Sequence, residues 1–244
     1  MIRFSNIVKS FDSITALKGV NLEFLTSQTS VLIGPSGCGK STLIKLIVGI
    51  YKPNSGNIYI NDEKVTQQNI QKFRRKIGYV IQEGGLFPHL TAKQNVTLMA
   101  NFCGWDKNQI EKRLEELADL TKITKDVLTR YPIHLSGGQN QRIGLMRALM
   151  LDPDLLLLDE PLGALDPMIR YELQSDLKNI FRALNKTVLM VTHDLGEAEY
   201  FGDQIILMKD GLIIQQGIFQ DFLKNPADIF VTKFIQAQRG LTVK

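Results

Sequence analysis

The chain has 244 residues, 44% of them apolar and 22% charged, with a formal net charge of +4; these are the proportions of an ordinary globular protein with one sizeable core and little room for a second independent domain. No stretch approaches the roughly 18 uninterrupted apolar residues of a membrane helix, and the Met1-Ile2-Arg3-Phe4 start lacks a basic segment leading into an apolar one, so neither an anchor nor a secretory leader is expected. Two widely spaced cysteines, Cys38 and Cys103, argue against a disulfide framework or a metal site, and the one basic run, Lys72, Arg74, Arg75 and Lys76, has none of the interleaved aromatics of a nucleic-acid surface.

In chain order, the first third reads as strands at Ile2 to Phe4, Val20 to Leu25 and Ser30 to Ile33, then a Gly-rich loop and a helix from about Lys40 to Gly49. A turn at Asn54-Ser55-Gly56-Asn57 precedes Ile58 to Ile60, which predicts a small antiparallel sheet beside the loop. Ile77 to Ile81 is an apolar run of strand length, after which a largely helical segment of about seventy residues is expected. Within it Ile110, Leu114, Leu117 and Leu120 mark an amphipathic helix, and a second helix runs from Asn140 to the stop at Asp152-Pro153. From Leu155 the pattern alternates: strand to Leu158, helix from Met168 to Leu184, strand Thr187 to Val191, helix Asp194 to Phe201, strand Gln204 to Met208. Continuous apolar runs of this kind suit buried parallel strands. Asp210-Gly211 turns the chain into Leu212 to Ile214, and two short helices separated by Asn225-Pro226 end it.

Three motifs carry chemistry. Gly34-Pro35-Ser36-Gly37-Cys38-Gly39-Lys40-Ser41 fits GxxxxGKS between a strand and a helix: backbone N–H groups at a helix N-terminus would surround phosphates, with Lys40 as a point cation and Ser41 as a magnesium ligand. Leu155 to Leu158 would deliver two adjacent carboxylates at a strand end, Asp159 to hold magnesium and Glu160 to polarise water, although adjacent acids there also serve as helix caps. Leu135-Ser136-Gly137-Gly138-Gln139 supplies a second helix start with exposed N–H groups, in a chain that already has one phosphate loop.

LSGGQ followed by Gln141 and Arg142, and then by the Leu155–Glu160 run, resembles the ATP-binding subunit of the ABC (ATP-binding cassette) family, and the resemblance covers nearly the whole chain. It implies an α/β P-loop NTPase fold: a RecA-like parallel sheet core with an antiparallel β subdomain and an inserted α-helical subdomain. Residues 1–83 and 154–244 would form the core and 84–153 the insert. It implies ATP and Mg2+ as ligands, held by Gly34 to Ser41 with Thr42, and Phe11 where the family commonly stacks a tyrosine on adenine; the missing hydroxyl leaves core packing as the other account of that ring. Gln82 resembles the family's glutamine that contacts magnesium and the attacking water. Glu160 would be the general base, His193 the γ-phosphate sensor, and Ser41, Gln82 and Asp159 the metal side. Leu135 to Gln139 would cap the nucleotide of an opposite subunit, and Asp166 would touch that subunit, unless its Asp-Pro turn only starts a helix.

The resemblance further implies a homodimer or paired ATPase subunit, transmembrane permease partners and, indirectly, a solute-binding protein, on the cytoplasmic face of the membrane. No nucleic-acid partner is expected. Gly84, Gly85, Leu86, Phe87 and Leu90 would line a groove for a partner helix or form an internal hinge. The stretches 77–95 and 160–173 look most like importer subunits for glycine betaine, choline and related osmoprotectants, without the C-terminal regulatory module many of them carry. A soluble ABC ATPase of translation, DNA repair or iron–sulfur assembly is the rival reading, set against the 96 positions between Lys40 and Ser136 and the single GxxxxGKS.

Overall fold

The computed structural model describes residues 1–82, 85–163 and 165–239. In chain order the elements are β1 (Ile2–Phe11), β2 (Ile14–Phe24), β3 (Thr29–Ile33), α1 (Lys40–Ile47), β4 (Ser55–Ile60), β5 (Glu63–Lys64), α2 (Ile70–Arg74), β6 (Ile77–Val80), α3 (Ala92–Phe102), α4 (Lys107–Thr121), α5 (Lys125–Leu128), a 3₁₀ turn at Pro132–His134, α6 (Gly137–Leu149), β7 (Leu155–Asp159), α7 (Pro167–Leu184), β8 (Thr187–Val191), α8 (Leu195–Phe201), β9 (Gln204–Lys209), β10 (Leu212–Gly217), α9 (Phe219–Lys224) and α10 (Ile229–Arg239). They group into two compact units, one of residues up to Arg74 together with those from Thr187 on, the other Arg75–Lys186.

The first unit holds two sheets. One is antiparallel, in the order β2-β1-β4-β5. In the other, β3 lies between β8 and β9, parallel to both, and β10 returns antiparallel along β9. Every residue of β3 and of β8 is buried, which is why both read as unbroken apolar runs with no alternation. β1 and β2 are longer than the sequence suggests. A two-residue connection, Asp12-Ser13 with Asp12 at φ 47°, joins them, and bulges beside Asn6 at φ 51° break the period-two signal between Phe4 and Val8.

In the second unit β6 and β7 run parallel, pairing Ile77 with Leu155 and Val80 with Leu158. The helical stretch is not continuous: α3, α4, α5 and α6 are separated by loops. Each break has a local cause. Thr91 and Gln94 form a capping box at the start of α3, Asp106 caps α4, and Lys122 in the left-handed region (φ 56°) ends it. Asn95, fully buried on α3, accepts from the Phe87 N–H and donates to the carbonyls of Phe87, Leu90 and Thr91, so the loop before α3 needs no helix to satisfy its backbone. The helix expected from Asn140 begins earlier, at Gly137, because Ser136 is its cap. Of the two thiols it is Cys38 that is buried, Cys103 being half-exposed. No helix among the described residues is long and apolar enough to cross a membrane.

Candidate functional site: phosphate loop, signature turn and strand-end carboxylates

In the first unit, the loop from Gly34 to Gly39 joins β3 to α1. Its glycines are required by space and conformation together. A Cβ on Gly34 would lie 2.2 Å from the Met208 carbonyl oxygen, and one on Gly39, at φ 111°, 2.8 Å from that of Ala16 on β2. Lys40, 7% exposed, turns its ammonium into the loop and donates to the carbonyls of Gly34 at 2.7 Å and Pro35 at 3.0 Å. The buried Cys38 sulfur lies 3.8 Å from that ammonium; burial raises the thiol's pKa, and the charge and hydrogen bonds of Lys40 only partly offset this. Ser41 and Thr42 stand in the first turn of α1, whose leading amides have no acceptor within the helix.

His193 follows β8 as Gly34 follows β3, and these strands are parallel neighbours. Both residues therefore emerge at the carboxyl ends of the strands, where ligands of open parallel sheets bind. Thr192 donates its hydroxyl to the buried Glu197 at 2.5 Å, and Asp194 caps α8 through the amides of Gly196 and Glu197, which holds the two neighbours of the exposed His193 in place. Phe11 ends β1 with its ring 38% exposed, edge-on to Tyr51 at 4.9 Å and with the Lys9 ammonium 4.7 Å from its centroid. An exposed aromatic surface with a cation beside it suits a stacked base carrying phosphates.

The second unit carries Gln82, Leu135 to Gln139, Asp159, Glu160 and Asp166. Gln82 is exposed just past β6. Asp159 ends β7 half-buried and accepts a hydrogen bond from the Tyr79 hydroxyl at 3.3 Å; burial, then the Asp159 charge and this bond, push the Tyr79 pKa well up, so the phenol stays protonated. Tyr79 is a site residue the sequence reading missed, although its pairing opposite Leu157 places it beside the strand end. Glu160 adopts φ 49°, a left-handed conformation costly for a non-glycine residue, and its carbonyl accepts from Gly163.

At the signature turn the Ser136 hydroxyl accepts from the Gln139 N–H at 3.2 Å, while the Gln139 side chain accepts from the Ser136 N–H at 3.0 Å. This capping box fixes the turn and leaves the first-turn amides of Gly137 and Gly138 facing out of the helix end. Both glycines are crowded: a Cβ at Gly138 would meet Ile169 Cγ2 at 2.9 Å, and one at Gly137 the Leu165 Cδ2 at 3.1 Å. Asp166 caps α7, accepting from the Met168 and Ile169 amides at 3.1 Å each. Gly84, which the sequence reading placed in the partner groove, lies outside the described residues.

Farther along α6, Arg142 donates to Asp176 of α7 at 2.6 Å and to the Thr121 carbonyl at 2.7 Å, and Lys122 reaches the other Asp176 oxygen at 2.7 Å. Burial would raise the Asp176 pKa, yet the hydrogen bonds and charges of Lys122 and Arg142 prevail and lower it. Ser41, Gln82 and Asp159, expected from the sequence on the metal side, carry a hydroxyl, an amide and a carboxylate, oxygen donors of the kind a magnesium ion accepts.

Comparison with known proteins agrees with this geometry. Residues 17–163 match the sequence family described as ABC transporter. The choline transport ATP-binding protein OpuBA of Bacillus subtilis (strain 168) is 44% identical over 98% of this chain and 63% of its own length. The probable sulfate/thiosulfate import ATP-binding protein CysA of Chlorella vulgaris is 42% identical over 96% of this chain and 98% of its own. The solved dimeric ATP-binding cassette MJ0796, in a post-hydrolysis state with ADP and Pi, superposes with a TM-score of 0.80 at 34% identity, covering 89% of this chain and 98% of that one. The chain thus spans less than two thirds of the length of OpuBA. It shares its fold with solved cassettes, a family model spans most of it, and full-length relatives match it throughout: the chain belongs to the ABC transporter family.

Proposed function

We propose that the chain is the ATP-binding and ATP-hydrolysing subunit of a membrane transporter, an importer of osmoprotectants such as choline or glycine betaine. The observation that carries the reading is the second phosphate-type helix start at Ser136–Gln139, held by its own capping box, in a chain that already has one at Lys40. One copy has no use for two. Paired with a second copy, the Ser136 turn of each would close over the nucleotide held by the other, and the relative solved as a dimer with ADP and Pi supports that arrangement. The choline transport relative OpuBA, 44% identical over nearly the whole of this chain, favours the osmoprotectant class.

In this reading the Gly34–Gly39 amides and Lys40 bind the β- and γ-phosphates, and Phe11 stacks on the base. Ser41, Gln82 and Asp159 would hold Mg2+, which when bound neutralises phosphate charge as the reaction proceeds. Glu160 takes a proton from the attacking water as its oxygen bonds the γ-phosphorus and the bond to the β–γ bridging oxygen breaks, releasing ADP and phosphate. His193 contacts the γ-phosphate, and Asp166 touches the opposite copy while capping α7. Residues 1–83 and 154–244 serve as core and 84–153 as helical insert, and the exposed Phe87, Leu98, Met99 and Phe102 of that insert support a reading in which transmembrane partners dock there; the chain then works at the cytoplasmic face of the membrane, with a solute-binding protein as an indirect partner. No nucleic acid takes part.

A second reading, import of a small anion such as sulfate, draws on the CysA relative, which this chain matches along almost its whole length. To test the shared reading, Glu160→Gln is incubated with ATP and magnesium and examined by sedimentation. A stable dimer with hydrolysis lowered at least about 100-fold is expected; a monomer hydrolysing at the wild-type rate refutes it. Uptake of labelled choline against labelled sulfate, with the cognate permease, separates the two cargos.

A further inference from the structure

Within the first unit, a cleft of about 380 Å³ opens between the end of α1, the β4–β5 hairpin and α2. The phosphate loop stands at the other end of α1, and neither Gly34 to Thr42 nor Phe11 lines this cleft. Its floor is apolar, with Leu46 and Ile58 buried and Ile70 half-buried. Lys52, Lys64 and Arg74 line it as well, and no carboxylate does among the described residues. The volume lies within the roughly 300–1,000 Å³ of small-molecule sites, which combine an apolar lining with a few placed polar groups.

Arg74 is held in place by the end of α1. Its Nε donates to the Val48 carbonyl at 2.9 Å and its Nη2 to the Gly49 carbonyl at 3.1 Å. These carbonyls form the negative end of the helix, which would repel an anion if left bare; the guanidinium covers them and reverses the local sign. Gly49, at φ 75°, permits the close approach of α2, since a Cβ there would lie 2.6 Å from Ile70 Cγ1. Glu63, beside Lys64 in the chain, is occupied by Lys72 at 2.7 Å and Asn69 at 3.0 Å. The exposed ammonium groups of Lys52 and Lys64 have no acidic partner among the described residues. Cations gathered on one concave surface without a counter-charge raise its potential and draw anions to it.

We infer that this cleft binds a small organic anion: an apolar ring or short chain lying over Leu46, Ile58 and Ile70, with a phosphate, sulfonate or carboxylate group held by Lys52 and Lys64 beside the fixed charge of Arg74. Tyr51 lines the cleft and also meets Phe11 edge-on at 4.9 Å, so the site borders the base platform without sharing the phosphate loop. It stands whether or not the chain hydrolyses ATP.

The test uses two fluorescent probes of one shape, 1-anilinonaphthalene-8-sulfonate and N-phenyl-1-naphthylamine, which has the same rings and no charge. Each is titrated into the full chain with ADP and magnesium in excess, and amide NMR of the isotope-labelled chain shows where the sulfonate probe sits. It is expected to bind with ADP present, to shift amides in the 46–74 segment, and to bind at least about tenfold more tightly than the neutral probe. Replacing both exposed lysines, Lys52→Gln with Lys64→Gln, should weaken the sulfonate probe about tenfold and leave the neutral one within about twofold, as loss of two solvent-exposed charge contacts implies. Displacement of the sulfonate probe by ADP, amide shifts confined to other segments, equal affinity for the two probes, or an affinity unchanged in the lysine variant would each overturn the assignment.

Discussion

Substituting alanine for Gly138 sets two effects of opposite sign against each other. Gly138 is the second residue of α6, and replacing a helical glycine by alanine ordinarily stabilises by roughly 0.5–1 kcal/mol. The new methyl group, however, would stand 2.9 Å from Ile169 Cγ2, about 1 Å inside the optimal carbon–carbon separation. Ile169 lies in the first turn of α7, where a β-branched side chain has essentially one χ1 rotamer, so it cannot swing aside cheaply. Overpacking of this kind costs about 1–3 kcal/mol, and the net expectation for Gly138→Ala is destabilisation by about 1 kcal/mol. Gly137→Ala meets only the flexible end of Leu165, at 3.1 Å, and is expected to be close to neutral. Urea unfolding of both variants, and of Gly138→Ala combined with Ile169→Ala, measures this. The double variant should lose less stability than the sum of its parts, because the second change removes the methyl that the first one strikes. A Gly138→Ala protein more stable than wild type would refute the reasoning, since helix propensity would then outweigh contact with α7.

Three further predictions follow from the same unit and from the phosphate loop. Asp176→Asn should lose about 2 kcal/mol at neutral pH by weakening the bonds from Arg142 and Lys122; because the folded pKa of Asp176 is depressed, this difference is full above the unfolded value near 4 and fades as pH falls through the folded one, so an equal difference at low pH contradicts it. Asn95→Ala removes the acceptor of the Phe87 amide and the side-chain donor to the Leu90 carbonyl, while the carbonyls of Phe87 and Thr91 keep the amides of Leu90 and residue 95, and should cost about 2 kcal/mol by urea unfolding, a loss below about 0.5 kcal/mol counting against this anchor. Cys38, buried and with its pKa raised, should react with iodoacetamide at neutral pH more slowly than the half-exposed Cys103, as followed by peptide mass spectrometry; faster modification of Cys38 would mean that Lys40 outweighs burial there.

Much of this was legible before any geometry. β3, β7 and β8 are runs of buried aliphatics bounded by turns, and their ends deliver Gly34, Asp159 and His193, so the strand reading and the site reading support each other. Ser136 and Gln139 are three positions apart, the spacing of a capping box, yet the helix was read from Asn140 because two glycines look like a loop until the cap is seen. The β1–β2 hairpin was shortened because Asn6 and Asp12 take positive φ and the bulges scramble alternation. Tyr79 and Asp176 could not have been found by periodicity. Their roles arise from partners 80 and 34 positions away, pairings that only the folded chain specifies.

The central claim, that this chain powers a membrane transporter, is tested most directly by tagging Glu160→Gln in the native cell and solubilising membranes in mild detergent with ATP and magnesium. Proteins held by the chain are then identified by mass spectrometry. The account predicts a polytopic permease in stoichiometric amount, retained by the variant and lost when Lys40 is also replaced by alanine. Recovery of ribosomal, DNA-repair or cluster-assembly proteins in its place, with no membrane protein bound, would contradict it.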